Sequence, residues 1–283
     1  MSRVFLTECP RDALQGIKTF IPTDVKVKYL QSLLRVGYDI LDFGSFVSPK
    51  VVPQMRDTHE VIKQLDLSET KTKLLAIVAN ERGAVEALSY DQISYIGYPF
   101  SISENFQMRN TNTTIEESLL LLNRLVERTV GVNQELVVYL SMGFGNPYGD
   151  PWSPALVADW VKRLVDIGVN RISLSDTVGL AQADTISELF EYLNMVHPDV
   201  FFGAHLHAKP NEVISKIKAA YAGGCRAFDS TIRGLGGCPM AKDSLTGNIS
   251  TEKLLSFLAS QKSEFSVNML YFEAAYNSSL QIC

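Results

Sequence analysis

A chain of 283 residues, 46% of them hydrophobic, can bury a full core and fits either two small domains or one large α/β barrel. A formal net charge of −5 and the lack of any basic run exclude a nucleic-acid footprint. No apolar run reaches the roughly 20 residues of a membrane span. The four cysteines, Cys9, Cys225, Cys238 and Cys283, show no CxxC spacing, so separate thiols are expected and not a disulfide framework. Because a strand begins almost at once, the expectation is a cytoplasmic protein with no leader peptide.

In chain order, short apolar and β-branched runs predict strands at 4–8, 39–43, 73–79, 92–97, 135–141, 171–176, 200–207 and 226–230. Most are apolar throughout, as in a parallel sheet covered on both faces. Amphipathic stretches fall between them. Thr113 or Thr114, followed by Glu116 or Glu117, forms a capping-box pattern ahead of a helix at 119–130. Ser153-Pro154 opens another helix, whose Leu156, Val157, Trp160, Val161, Leu164 and Val165 share one face. Gly37, Gly131, Gly168 and Gly223 stand where helices end before strands. Eight βα alternations predict a single-domain (β/α)8 TIM barrel over residues 1–283, with an open doubly wound sheet as the alternative.

A barrel collects its chemistry at the carboxyl ends of the strands. The polar residues at those places are Arg11 and Asp12 after the first strand, Asp42 on the second, Asp176 on the sixth, and His205 and His207 on the seventh. Side chains at i and i+2 of a strand share a face, so both imidazoles point to one spot, which suits a divalent cation. Two hydrogen-bonded histidines in a polar strand end are the plainer alternative. Asp12, read as part of the first βα loop, and Asn248, between the last strand and the final helix, can add oxygen ligands. Two nitrogens, a carboxylate and an amide oxygen leave open positions and favour Mg²⁺ or Mn²⁺ over a closed structural zinc site. Arg11 can stabilise an enolate or thioester oxygen, or simply pair with Glu8 or Asp42. The loop at 233–240 sets three glycines around Cys238, which reads either as a lid carrying an acid–base thiol or as a corner with an incidental one. His59 and His197 are given no role.

Three stretches, Pro10-Arg-Asp-Ala-Leu-Gln15, Ser45-Phe-Val-Ser-Pro-Lys50 and Gly234-Leu-Gly-Gly-Cys-Pro239, resemble the 3-hydroxy-3-methylglutaryl-CoA lyases. That family belongs to the metal-dependent aldolase and condensing-enzyme barrels with an RD…HxH signature. The resemblance implies a metal held by Asp12, His205, His207 and Asn248, and substrate contact by Arg11 and Gln15. It implies active-site acids at Asp42 and Asp176, proton transfer by Cys238, and an acyl-CoA thioester as substrate. The base that takes the substrate hydroxyl proton stays open among Asp42, Asp176, His205 and Cys238, and a homodimer is left open as well. Departures from the family are Asp42 for glutamate, Ala13 for glycine, and Ala208 where an aspartate commonly follows the second histidine. A related condensing enzyme or aldolase, or a barrel used only as a binding scaffold, are the competing readings.

Overall fold

The computed structural model of the protein describes residues 3–237 and 246–282. Its eight parallel strands are β1 Phe5–Glu8, β2 Ile40–Ser45, β3 Lys73–Ile77, β4 Ile93–Ser101, β5 Glu135–Ser141, β6 Arg171–Asp176, β7 Phe201–Ala208 and β8 Ala227–Ser230. They run side by side as β6-β5-β4-β3-β2-β1-β8-β7, and pairing of β6 with β7 closes the ring. Closure removes both sheet edges, and the open doubly wound alternative falls. A two-residue strand, β9 Gly247–Asn248, adds antiparallel to the end of β7.

The helices are α1 Pro10–Gln15, α2 Thr23–Val36, α3 Thr58–Gln64, α4 Glu81–Leu88, α5 Glu104–Thr111, α6 Ile115–Thr129, α7 Pro154–Asp166, α8 Ala183–Val196, α9 Val213–Ala222, α10 Thr251–Ser260 and α11 Met269–Ser279. The local signals place their ends. Thr114 and Glu117 complete the capping box of α6, and the Ser153 hydroxyl accepts from Leu156 N at the start of α7. Gly37 ends α2 in the left-handed region at φ 83. At the end of α9 that conformation falls on Gly224, with Gly223 at φ −70, so the expected corner sits one residue later.

Three further expectations are corrected. Asp12 stands on the short helix α1 and not in a loop, Asn248 stands on a strand, and α10 is followed by a further helix. The start of that last helix, α11, is tied to α2 by Asn268 N donating to Val36 O.

Alternation along the strands separates two environments. Inward-facing Ile40, Leu75, Ile77, Val137 and Tyr139 form a buried plug across the barrel. A Cβ on Gly97 would fall 2.6 Å from Ile77 Cδ1 and 2.9 Å from Tyr139 Cε2, so the bare backbone of β4 makes room for those side chains. Below the plug lies a cavity of about 30 Å³; above it, at the carboxyl ends of the strands, opens one of about 950 Å³.

Glu8 points the other way, into the layer between barrel and helices. Its carboxylate accepts from Ile232 N at 2.7 Å and Thr251 Oγ1 at 2.6 Å, pinning β1 to the start of α10. Burial pushes its pKa from 4.5 up to about 8, against the hydrogen bond from Thr251. Between those two values the folded chain keeps a proton that the unfolded chain releases. The associated stability is whole below pH 4.5 and is lost as pH rises through about 8. Tm should therefore fall between about pH 6 and pH 9, and Glu8→Gln should flatten that fall. Thermal melts across this range check it; parallel profiles for the two proteins would overturn it.

Candidate active site

The mouth cavity is lined by α1, by the ends of β2, β3, β6 and β7, and by the loop after β8. Its centre is Arg11. The guanidinium donates to Asp42 Oδ2 through Nε at 3.0 Å and Nη2 at 2.6 Å, a fork-on-carboxylate arrangement. Nη1 donates to Asp12 Oδ1 at 3.1 Å and Gln15 Oε1 at 3.0 Å. Glu8, the other acid considered for Arg11, faces away.

These pairings decide the charges. Burial pushes the Asp42 carboxyl up to about 6 against the opposing pull of Arg11. Burial works on Asp12 in the same direction, but Arg11, His205, His207 and a hydrogen bond from Asn248 hold it below the ordinary aspartate value. Asp12 is thus an anion at any physiological pH.

His205 and His207 do reach the same spot. Asp12, His205 and His207 offer ligand atoms that all lie within 4.8 Å of one another. His207 Nδ1 meets the Thr177 carbonyl at 2.8 Å, so that nitrogen carries the proton and Nε2 holds the lone pair. Nε2 is buried and has no hydrogen-bond partner among the described residues. Burial, then the neighbouring His205, lowers the His207 pKa and keeps the ring neutral. Asn248 donates from Nδ2 to Asp12 Oδ2 and to Leu235 O, which seats its amide against the Asp12 carboxylate. An imidazole nitrogen with no partner among the described residues, beside a fixed carboxylate and a second imidazole, fits a divalent cation.

Behind this set stand residues the sequence reading missed. His205 Nδ1 bonds Asp229 Oδ2 at 3.1 Å, and Ser173 Oγ donates to the same oxygen at 3.1 Å. Desolvation lowers the His205 pKa, but the hydrogen bond and charge of Asp229 outweigh it and the net shift is upward. A carboxylate behind a ligating histidine fixes both its tautomer and its ring plane. The available signal was an aspartate two residues after Ala227 on β8, an inward position. Cys9 also lies within 4.8 Å of His205 and Asp229. Burial, then Asp229 and Asp42, push its thiol well up, so it stays protonated. Cys225 is likewise pushed up by burial, to about 12.

Other expected residues land elsewhere. Asp176 faces the helices, where Oδ2 accepts from Lys216 Nζ at 2.6 Å and Oδ1 from Ala181 N at 3.1 Å. Neither Asp176 nor Asp42 lines the mouth cavity, whereas Gln15 does. Ala208 belongs to the apolar layer under the helices and not to the rim of the metal cluster, so the missing aspartate takes nothing from the ligand set. The glycine-rich loop is described as far as Gly237; Cys238 lies outside the described residues. Gly236 has φ +84, and a Cβ there would fall 2.5 Å from Asp12 O, so the loop passes directly over the backbone of a candidate ligand.

The HMGL-like family model matches residues 4–277. The human cytoplasmic 3-hydroxy-3-methylglutaryl-CoA lyase is 32% identical over 251 residues, an alignment taking in 88% of this chain and 66% of the human one. This chain therefore spans slightly under two thirds of that relative's length. The HMG-CoA lyase of Brucella melitensis superimposes with a TM-score of 0.90 at 28% identity, covering 100% of this chain and 99% of that one. An HMG-CoA lyase from Acinetobacter baumannii, solved with coenzyme A and 3-methylmalate, gives 0.88 at 27% identity, covering 97% and 89%.

His207→Ala removes the orphaned nitrogen. It should weaken Mn²⁺ binding by more than the roughly 10–100-fold that loss of an outer partner produces. Electron paramagnetic resonance of free Mn²⁺ reads this out, and unchanged affinity would sink the ligand assignment.

Proposed function

The chain belongs to the HMGL-like family, and from that premise we propose that it is a divalent-metal lyase that cleaves 3-hydroxy-3-methylglutaryl-CoA into acetyl-CoA and acetoacetate. The observation that carries the proposal is His207 Nε2, buried with no hydrogen-bond partner among the described residues and converging with Asp12 and His205 on a cavity that Arg11 also lines. Mg²⁺ or Mn²⁺ is the ion this open set of mixed nitrogen and oxygen donors favours. When bound, the cation supplies the positive charge that lowers the pKa of a substrate hydroxyl.

The rest falls to the chain's own residues. Arg11, held in one orientation by Asp42, Asp12 and Gln15, presents fixed positive charge where an enolate oxygen develops. Because it is held before substrate arrives, little reorganisation is needed during bond breaking. Asp42 acts through Arg11, and Asp176 is engaged with Lys216. Protonation of the enolate is assigned to the Cys238 thiol, carried by the loop that crosses Asp12. A cavity of about 950 Å³ is within the range of small-molecule sites and accommodates an acyl group with part of its carrier arm. The acyl-CoA assignment is supported by the relative solved with coenzyme A. Cytoplasmic residence, supported by the cytoplasmic human relative, belongs to the same reading and is tested by cell fractionation.

Acetyl-CoA release from short 3-hydroxyacyl-CoAs tests the reaction. The substrate with a terminal carboxylate should exceed its uncharged counterparts by about one to two orders of magnitude in kcat/KM, the worth of one charge-assisted contact of roughly 1.5–3 kcal/mol. Equal efficiency without the carboxylate overturns the substrate, and absence of release with every acyl-CoA overturns the lyase. Cys238→Ser should leave Mn²⁺ binding intact and lower kcat far more than it changes KM. An unaltered kcat would make that thiol part of the loop alone.

A further inference from the structure

Lys216 has no part in the chemistry above, yet its side chain is 4% exposed, in the layer between β7 and α9. A desolvated ammonium is costly unless each donor finds an acceptor. Lys216 Nζ finds three: Asp176 Oδ2 at 2.6 Å, the His207 carbonyl at 2.8 Å and the Gly179 carbonyl at 3.2 Å. Asp176 reaches on to Ala181 N. One buried charge thus fastens the main chain of a candidate ligand to the segment 176–181. That same segment carries Thr177, whose carbonyl holds His207 Nδ1, and whose hydroxyl accepts from Met142 N at 2.9 Å. His207 is held at its backbone by Lys216 and at its ring by Thr177, and Lys216 holds the segment from which Thr177 acts.

We propose that Lys216 is a positioning residue for the metal site, setting its affinity for divalent cations from the helix side of the barrel through its hold on His207 and the 176–181 segment. This rests on the metal reading of the site.

The competing view is that the Lys216–Asp176 pair only stabilises the fold. The chain contains its own control. Lys26 and Asp57 form a second buried pair, also bonded to the Gln54 carbonyl, and none of these bonds reaches a candidate ligand. The experiment compares Lys216→Met/Asp176→Asn with Lys26→Met/Asp57→Asn in the full chain. Each double substitution removes both charges, so neither leaves one buried without its partner. Mn²⁺ affinity is measured by electron paramagnetic resonance, and ligand geometry by the visible absorption of bound Co²⁺. The first variant should bind Mn²⁺ about 10–100-fold more weakly, with an altered Co²⁺ band, while the second matches wild type. Wild-type affinity in the first variant, or equal weakening in both, overturns the inference. If the first variant fails to fold, Lys216→Gln, shorter and with two donors, takes its place, and unchanged Mn²⁺ affinity there overturns it equally. Failure of the metal reading itself looks different: no Mn²⁺ bound by wild type.

Discussion

A guanidinium taken out of water has to be met by charge, and the way Arg11 is met organises the barrel mouth. Asp42 on β2 takes two of its nitrogens and Asp12 on α1 takes the third, so a single cation fastens the first βα turn to the second strand. The balance that results is uneven. Arg11 faces Asp12 and Asp42, and Asp229 stands behind His205, so anions outnumber the permanent cation. Burial prevents water from screening the excess. The upward shift of His205 follows from that imbalance, whereas Asp12 is held in its charged form by the positive side chains around it, Arg11 first. A seat for a further positive charge is built into the packing before any ligand is considered.

Much of this was legible in the residues, because closed parallel sheets obey simple periodicities. All eight strands stand within the expected runs or extend them at their ends, as β2 and β4 do to Ser45 and Ser101. The two histidines share a face because strand geometry allows nothing else. Asp176 shows where motif matching and geometry part. With Ser173 and Ser175 facing the barrel axis, residue 176 has to face the helices, and parity alone sends its carboxylate to Lys216. The same parity moves the departure at Ala208 away from the ligands. What stayed hidden depends on contacts between distant elements: Asp229 beside His205 across the β7–β8 seam, Asn248 on a strand of two residues, and α11 against α2. Apart from the inward parity of Asp229 on β8, no local pattern encodes those.

The crossing of the glycine-rich loop over α1 links two parts of the site that the chain keeps more than 220 residues apart. A Cβ at position 236 would fall 2.5 Å from the Asp12 carbonyl oxygen, and one at Gly237 2.9 Å from Thr246 O. Glycine here does more than permit a turn. It lets the loop backbone lie on the ligand's backbone, with the Asn248 amide bridging Leu235 O and Asp12 Oδ2. The loop's root and the ligand set are therefore one packed unit.

The plug of Ile40, Leu75, Ile77, Val137 and Tyr139 closes the floor of the barrel and, among the described residues, leaves the cavity open at the carboxyl ends of the strands. Nothing of molecular size passes through to the small cavity beneath it. Traffic is then last in, first out. On the proposed reading, a ligand would enter reactive end foremost with its carrier trailing toward solvent, and cleavage near the floor would leave two fragments along one path. The outer fragment must clear the mouth, or swing aside within it, before the inner one can go.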